Sequence, residues 1–185
     1  MSKSVLVTGA ATGLGRGVAW TLAERGHKVI AGCQIWPQVW ELRNAAMAAG
    51  VQMQVIKLDV LNEIDRKHAL AIEIDVLFNN AGIMESGPVV EIPMSVFRSV
   101  FNPGAYRTGF NDTGMQTMDQ WWSLGDRIVA HWPLRELDRQ HDPAEMINAI
   151  AAVIEEDKPA YRTVRPASAE AMVKKEQSDV WSRRV

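Results

Sequence analysis

The chain has 185 residues, a formal net charge of -2 and a 47% hydrophobic composition. That suits one globular domain with a real core, and a sequence pI near 6.1 argues against a nucleic-acid surface. The single cysteine, Cys33, excludes an intramolecular disulfide, and the longest apolar stretch, near Ala149–Ile154, is far too short to span a bilayer.

Met1-Ser2-Lys3 leads straight into a strand with no signal-peptide pattern, so a cytoplasmic protein is expected. Ser4–Thr8 reads as a buried strand with the continuous apolar run, Val5–Val7, of a parallel strand. Gly13–Arg25 reads as a helix with Leu14, Val18 and Leu22 on one face and Gly26 at its end. Lys28–Gly32 is the second strand, and Trp36–Ala49 is a helix closed by Gly50. Trp36 and Trp40 share a face of that helix and are expected in a core or an interface. Gln54–Leu58 is a third strand, Asn62 caps a helix with Asp65 in its first turn, and Asp75–Phe78 is a fourth strand. Strand and helix alternate through the first eighty residues, which predicts an α/β doubly wound parallel sheet.

The second half is less regular. Pro93–Phe101 has a helical apolar face and is broken by Asn102-Pro103-Gly104. Residues 105–132 are rich in Met and Trp; Met115, Met118, Trp121 and Trp122 suit a hydrophobic lid over an apolar substrate or a packed core. Asp142-Pro143-Ala144-Glu145 starts a helix, with Asp142 as cap, Pro143 at the first position and Glu145 reaching back. Met146, Ile147, Ile150, Val153 and Ile154 form its apolar stripe. Ala160–Val164 reads as a last strand, and Ala167–Val185 as a surface helix or tail. With no repeat or linker, residues 1–185 read as a single domain.

Residues Val5–Gly15, V-L-V-T-G-A-A-T-G-L-G, are a strand, a glycine turn and a helix start. That arrangement presents free backbone N–H groups to a dinucleotide pyrophosphate. Thr8-Gly9-x3-Gly13-x-Gly15 is followed by Leu58-Asp59-Val60 after the third strand and Asn79-Asn80-Ala81-Gly82 after the fourth. Asn102-Pro103-Gly104 and Thr108 come later. In that order the set resembles the short-chain dehydrogenase/reductase family, from about Val5 to Gly82 and again from Asn102 to about Arg165.

The resemblance implies a Rossmann-like fold and an NAD(P)-dependent oxidoreductase that moves hydride between nicotinamide and a carbonyl or alcohol. The cofactor-binding set it implies is Gly9, Thr12, Gly13, Leu14, Gly15, Asp59, Val60, Asn80, Ala81, Gly82, Pro103, Gly104 and Thr108. Gly9 permits the turn, Gly13 lets the pyrophosphate approach and Gly15 allows close helix–strand packing. Asp59 can accept from an adenine amino group, although alone it is more often a turn residue. Asn80, Ala81 and Gly82 lie where the nicotinamide ribose would rest, while Asn79 is expected to bridge strands. Pro103, Gly104 and Thr108 would hold the carboxamide and phosphates. Gly32, Cys33 and Gln34 supply no acid to bind ribose hydroxyls, which leans toward NADP rather than NAD. Arg16 reads as a solvated charge.

The family's catalytic residues are a serine and a Tyr-x3-Lys pair, and the sequence carries no such pair. Tyr106 is followed at that offset by Phe110 and Tyr161 by Arg165, so no catalytic residue is assigned. Gly82 and Asn102 stand twenty positions apart, whereas a βαβ unit takes roughly 30 residues or more. Central strand–helix elements are therefore expected to be missing, with a gap near residues 101–102 and unpaired sheet edges. The chain is either an NAD(P)-dependent oxidoreductase that lacks an internal segment here or a non-catalytic dinucleotide-binding protein, a deletion product or redox sensor. A methyltransferase is the third reading, and Asn79-Asn80-Ala81-Gly82 argues against it. The expected partners are a small carbonyl or alcohol substrate and a further copy of the chain, with no nucleic acid and no membrane. His27, His68, His131 and His141 show no metal-ligand spacing, so no metal is assigned.

Overall fold

The computed structural model describes residues 1–83, 106–109, 140–159, 163, 165–167, 170–171 and 174–175. In chain order the elements are β1 (Ser4–Thr8), α1 (Gly13–Glu24), β2 (Lys28–Cys33), α2 (Trp36–Ala49), β3 (Gln54–Lys57), α3 (Glu63–Leu70), β4 (Val76–Phe78) and α4 (Pro143–Glu155). The expected helix over 93–101, the Asn102-Pro103-Gly104 break, the junction near 101–102, the Met- and Trp-rich stretch, His131, Tyr161 and most of the strand over 160–164 lie outside the described residues.

The four strands are parallel in the order β3-β2-β1-β4. The register pairs Val5 with Val29 on one side and with Val76 on the other. This is the α/β Rossmann-like arrangement expected from the alternating pattern. Its two faces carry separate cores, because successive strand residues point to opposite sides. Val5, Val7, Val29, Ala31, Cys33 and Val55 pack under Val18, Leu22, Val39, Leu42, Ala151 and Ile154 of α1, α2 and α4. Leu6 and Ile30 pack on the other face with Leu58 and Ala69.

Local signals account for the helix ends. The Asn62 side chain accepts N–H bonds from Ile64 and Asp65 at the start of α3. After α1, Gly26 N–H donates to Ala23 O and His27 N–H to Leu22 O, the paired bonds of a glycine-closed helix. Gly50 and Val51 close α2 the same way.

Two expectations are revised: for Trp36 and Trp40 the core alternative falls while the interface alternative stands, and Glu145 has a different partner. Trp36 and Trp40 are 53% and 57% exposed and stack on each other with ring centroids 6.3 Å apart. They are not in the core because the inward stripe of α2 is Val39, Leu42 and Ala46. The second concerns the start of α4. Asp142 caps it as expected, accepting from Ala144 N–H. Glu145 does not reach back to the cap; its carboxylate accepts the Ala167 N–H at 3.3 Å.

Residues 1–27 and α4 are held together at the amino ends of the strands. Lys3 Nζ donates to the carbonyls of Ile154, Glu155 and Glu156 at 2.8, 3.3 and 3.0 Å, capping the helix with a cation where its dipole favours one. The Lys3 N–H donates to His27 Nδ1, so Nε2 carries the ring proton toward Glu155 Oε1 at 3.3 Å. Arg25 pairs with the second oxygen of Glu155 at 2.9 Å. Among the described residues no helix is long and apolar enough to cross a membrane.

Candidate functional site

Parallel strands put all their carboxyl ends on one edge, so the loops after β1, β3 and β4 gather there. The chain runs outward from β1 through β2 to β3 and then returns to β4 on the far side of β1. The crevice between β1 and β4 is therefore the switch point of the sheet, the general location of ligands in open α/β folds.

The loop after β1 is shaped by two glycines. Gly9 and Gly13 have φ of +64° and +56°, a region L side chains rarely adopt. A Cβ at Gly9 would also stand 2.8 Å from Ala81 Cα. Ala10 N–H is spent on Gly32 O at 2.8 Å, which ties the loop to β2. Thr12 stands at the N-cap of α1 in extended conformation, and its exposed side chain makes no cap bond. The first helical bond runs from Arg16 N–H to Thr12 O, and the first turn holds no acid. The N–H groups of Gly13, Leu14 and Gly15 thus open a helix whose amino end is not capped by its own N-cap side chain. Such an end attracts an anion, and this one fits a phosphate without displacing a protein carboxylate.

Thr8 and Asn80 lock that loop to β4. Thr8 Oγ1 accepts N–H bonds from Asn80 and Ala81 at 3.0 and 2.9 Å and donates to Phe78 O at 3.4 Å. Asn80 Nδ2 donates to the carbonyls of Thr8 and Gly9 at 2.9 and 3.1 Å. The bridge expected of Asn79 is therefore made by Asn80, whose amide serves the scaffold. Gly15 is required by the same closeness, since a Cβ there would overlap Asn80 Nδ2 and Gly9 O. Ala81 and Gly82 continue along the crevice.

Asp59 behaves as a turn residue. Its Oδ1 accepts from Leu61 N–H at 3.0 Å, its carbonyl accepts from Asn62, and its own N–H goes to Asp65 Oδ2. Asp59 Oδ2 takes no bond among the described residues, and the exposed Val60 stands beside it. Asp65 is ion-paired with Lys57, and that hydrogen bond, helped by the Asp59 N–H, holds its carboxyl below the ordinary range.

Thr108 arrives from the second half of the chain. Its Cβ lies 3.2 Å from where a Cβ at Gly13 would be, so it lines the phosphate end of the crevice. Pro103 and Gly104 lie outside the described residues. Tyr106, two positions before Thr108, is 2% exposed, and its hydroxyl has no hydrogen-bond partner among the described residues. Burial first, and Glu145 second, push its pKa up against the opposing Arg165. That is the opposite of a tyrosine activated for proton transfer.

Beside the end of β2, Arg16 of α1 makes an exposed ion pair with Glu41 of α2 at 3.2 Å. Cys33 beneath them is buried, and desolvation pushes its thiol up to about 11, with smaller opposing effects of Arg16 and Glu41. Neither Thr8 nor Tyr106 stands in the cofactor set read from the sequence. A hydroxyl closing the apolar Val5–Val7 run was the available signal for Thr8; nothing local signals the burial of Tyr106.

The model of the short chain dehydrogenase family matches residues 3–104. An uncharacterized oxidoreductase of Myxococcus xanthus is 37% identical over 106 residues, covering 54% of this chain and 42% of the relative. A diacetyl reductase of Staphylococcus epidermidis, of the (S)-acetoin-forming kind, is 29% identical over 116 residues, covering 60% of this chain and 45% of its own. The chain thus spans less than half the length of these curated relatives. The crystal structure of a short-chain dehydrogenase from Streptomyces avermitilis shares the fold, with a TM-score of 0.65 at 18% identity over 98% of this chain and 94% of that one.

Proposed function

The chain belongs to the short-chain dehydrogenase family, and from that premise we propose that it holds an NAD(P) dinucleotide across the β1–β4 crevice and serves a carbonyl/alcohol oxidoreductase. The observation that carries this is the amino end of α1 under the Gly9–Gly15 turn, left without a cap bond by Thr12 and framed by Thr12 and Thr108. Gly13, Leu14 and Gly15 would donate to the diphosphate. Asp59 and Val60 would meet the adenine, and Ala81 and Gly82 the nicotinamide ribose, with Asn80 holding both loops. Pro103 and Gly104 complete the set by resemblance. The lean is to NADP, because Gln34 puts no carboxylate at the end of β2 and Arg16 stands nearby. The junction near 101–102 is read as the point where a strand–helix–strand unit of the relatives is missing.

A second reading is favoured by one observation: the buried, unactivated Tyr106 has no lysine four residues on. On that reading the chain binds dinucleotide and does no chemistry.

Titration of the purified chain with NADPH and NADH, followed by cofactor fluorescence, tests the shared premise. Saturable binding is expected, tighter for NADPH; binding of neither overturns both readings. Turnover of a small diketone in the presence of bound cofactor then separates them, since the second reading requires binding with no consumption of NADPH.

A further inference from the structure

Gly17 sits inside α1, where glycine weakens a helix relative to alanine. Its reason lies across the interface with α4. A Cβ at Gly17 would overlap Ile147 Cδ1 and stand 2.9 Å from Cγ1. The Ile147 side chain of α4 therefore occupies the space that a Cβ at Gly17 would take. The contact leads back to the crevice. His141 lies six residues before Ile147, just ahead of the Asp142 cap. Its carbonyl accepts the Arg107 N–H at 3.0 Å, its ring lies 5.9 Å from that of Tyr106, and the two residues form a parallel bridge. Tyr106 O accepts the Thr108 N–H at 2.8 Å, and Thr108 stands over Gly13, one helical turn from Gly17.

We propose that Gly17 and Ile147 are positioning residues for the dinucleotide site: their close contact sets how near α4 approaches α1, and through His141 and Tyr106 it places Thr108 against the phosphate-binding turn. This rests on the reading above that Thr108 meets the cofactor. Gly17 shares α1 with Gly13, so coupling to Thr108 can run along α1 as well as through α4, and rescue by Ile147→Ala marks the route through α4.

A double-mutant cycle on cofactor affinity tests it, with NADPH fluorescence titrations of the unaltered chain, Gly17→Ala, Thr108→Val and the double variant. Each single change is expected to weaken binding roughly fivefold, with the double variant no weaker than Thr108→Val alone. Ile147→Ala added to Gly17→Ala is expected to restore affinity by returning the room the methyl took. Additive losses, or a Gly17→Ala variant that loses thermal stability but keeps its NADPH affinity, overturn the proposal while leaving the dinucleotide reading intact. Failure of the unaltered chain to bind NADPH or NADH removes that reading and this inference with it.

Discussion

Thr8 shows how much one hydroxyl can organise. It closes β1 among apolar residues, is 5% exposed, and takes two N–H bonds from the loop after β4 while donating to Phe78 O. Replacing it by valine keeps the shape and removes the acceptor of the part-buried Asn80 and Ala81 N–H groups. A buried donor left unpaired costs about 1–3 kcal/mol and a part-buried one less, so Thr8→Val is expected to lower unfolding stability by about 1–2 kcal/mol. Urea unfolding followed by circular dichroism measures it; a loss under about 0.5 kcal/mol would mean that water reaches those groups. The chemistry of this residue was visible in the sequence as a threonine before a glycine. Its partners were not, because they lie seventy positions away and meet it only when β4 pairs with β1.

At the level of elements, the first four strands and three helices were legible because their signals are local: apolar runs, an Asn cap, glycines past helix ends. The Lys57–Asp65 pair links β3 to the first turn of α3 and has a defined pH signature. Asp65 titrates below its ordinary range because Lys57 and the Asp59 N–H favour the carboxylate. A carboxyl whose folded pKa is lowered contributes stability that is present above the unfolded value and is lost as pH falls through the folded one. Stability is therefore expected to decline as the pH drops below about 4, and Asp65→Asn should flatten that decline while lowering stability near neutrality. Urea midpoints between about pH 2 and 7 for both chains check it; parallel curves would assign the acid limb to other carboxyls. The outward-facing Trp36 and Trp40 mark the limit of this scale. Their i, i+4 spacing tells that they share a face, and only the neighbouring Val39, Leu42 and Ala46 stripe tells that the face is outward.

At the scale of the molecule, α4 ties the second half of the chain to the first, alongside Thr108 at Gly13, among the described residues. Its inner face packs on α1, its carboxyl end is clasped by Lys3, and Glu155 engages His27 and Arg25. A cation at a helix carboxyl end is worth roughly 0.3–1 kcal/mol when exposed and up to about 2 when partly buried. Lys3→Ala is expected to cost about 1 kcal/mol and to act locally. Hydrogen exchange should speed up across α4 with the β1 and β2 amides little changed; uniform acceleration would show that α4 unfolds only with the sheet. The sequence alone determined the parallel α/β plan, the glycine turn and the absence of a Tyr-x3-Lys pair, since each is written in a few adjacent residues and needs no distant partner. Tertiary structure alone decided that Asn80 is spent on the scaffold, that Arg16 is held by Glu41, that Tyr106 is buried and unactivated, and that Thr108 reaches Gly13. Those outcomes depend on which surfaces come within a few ångströms of one another, and chain neighbours carry no record of that distance.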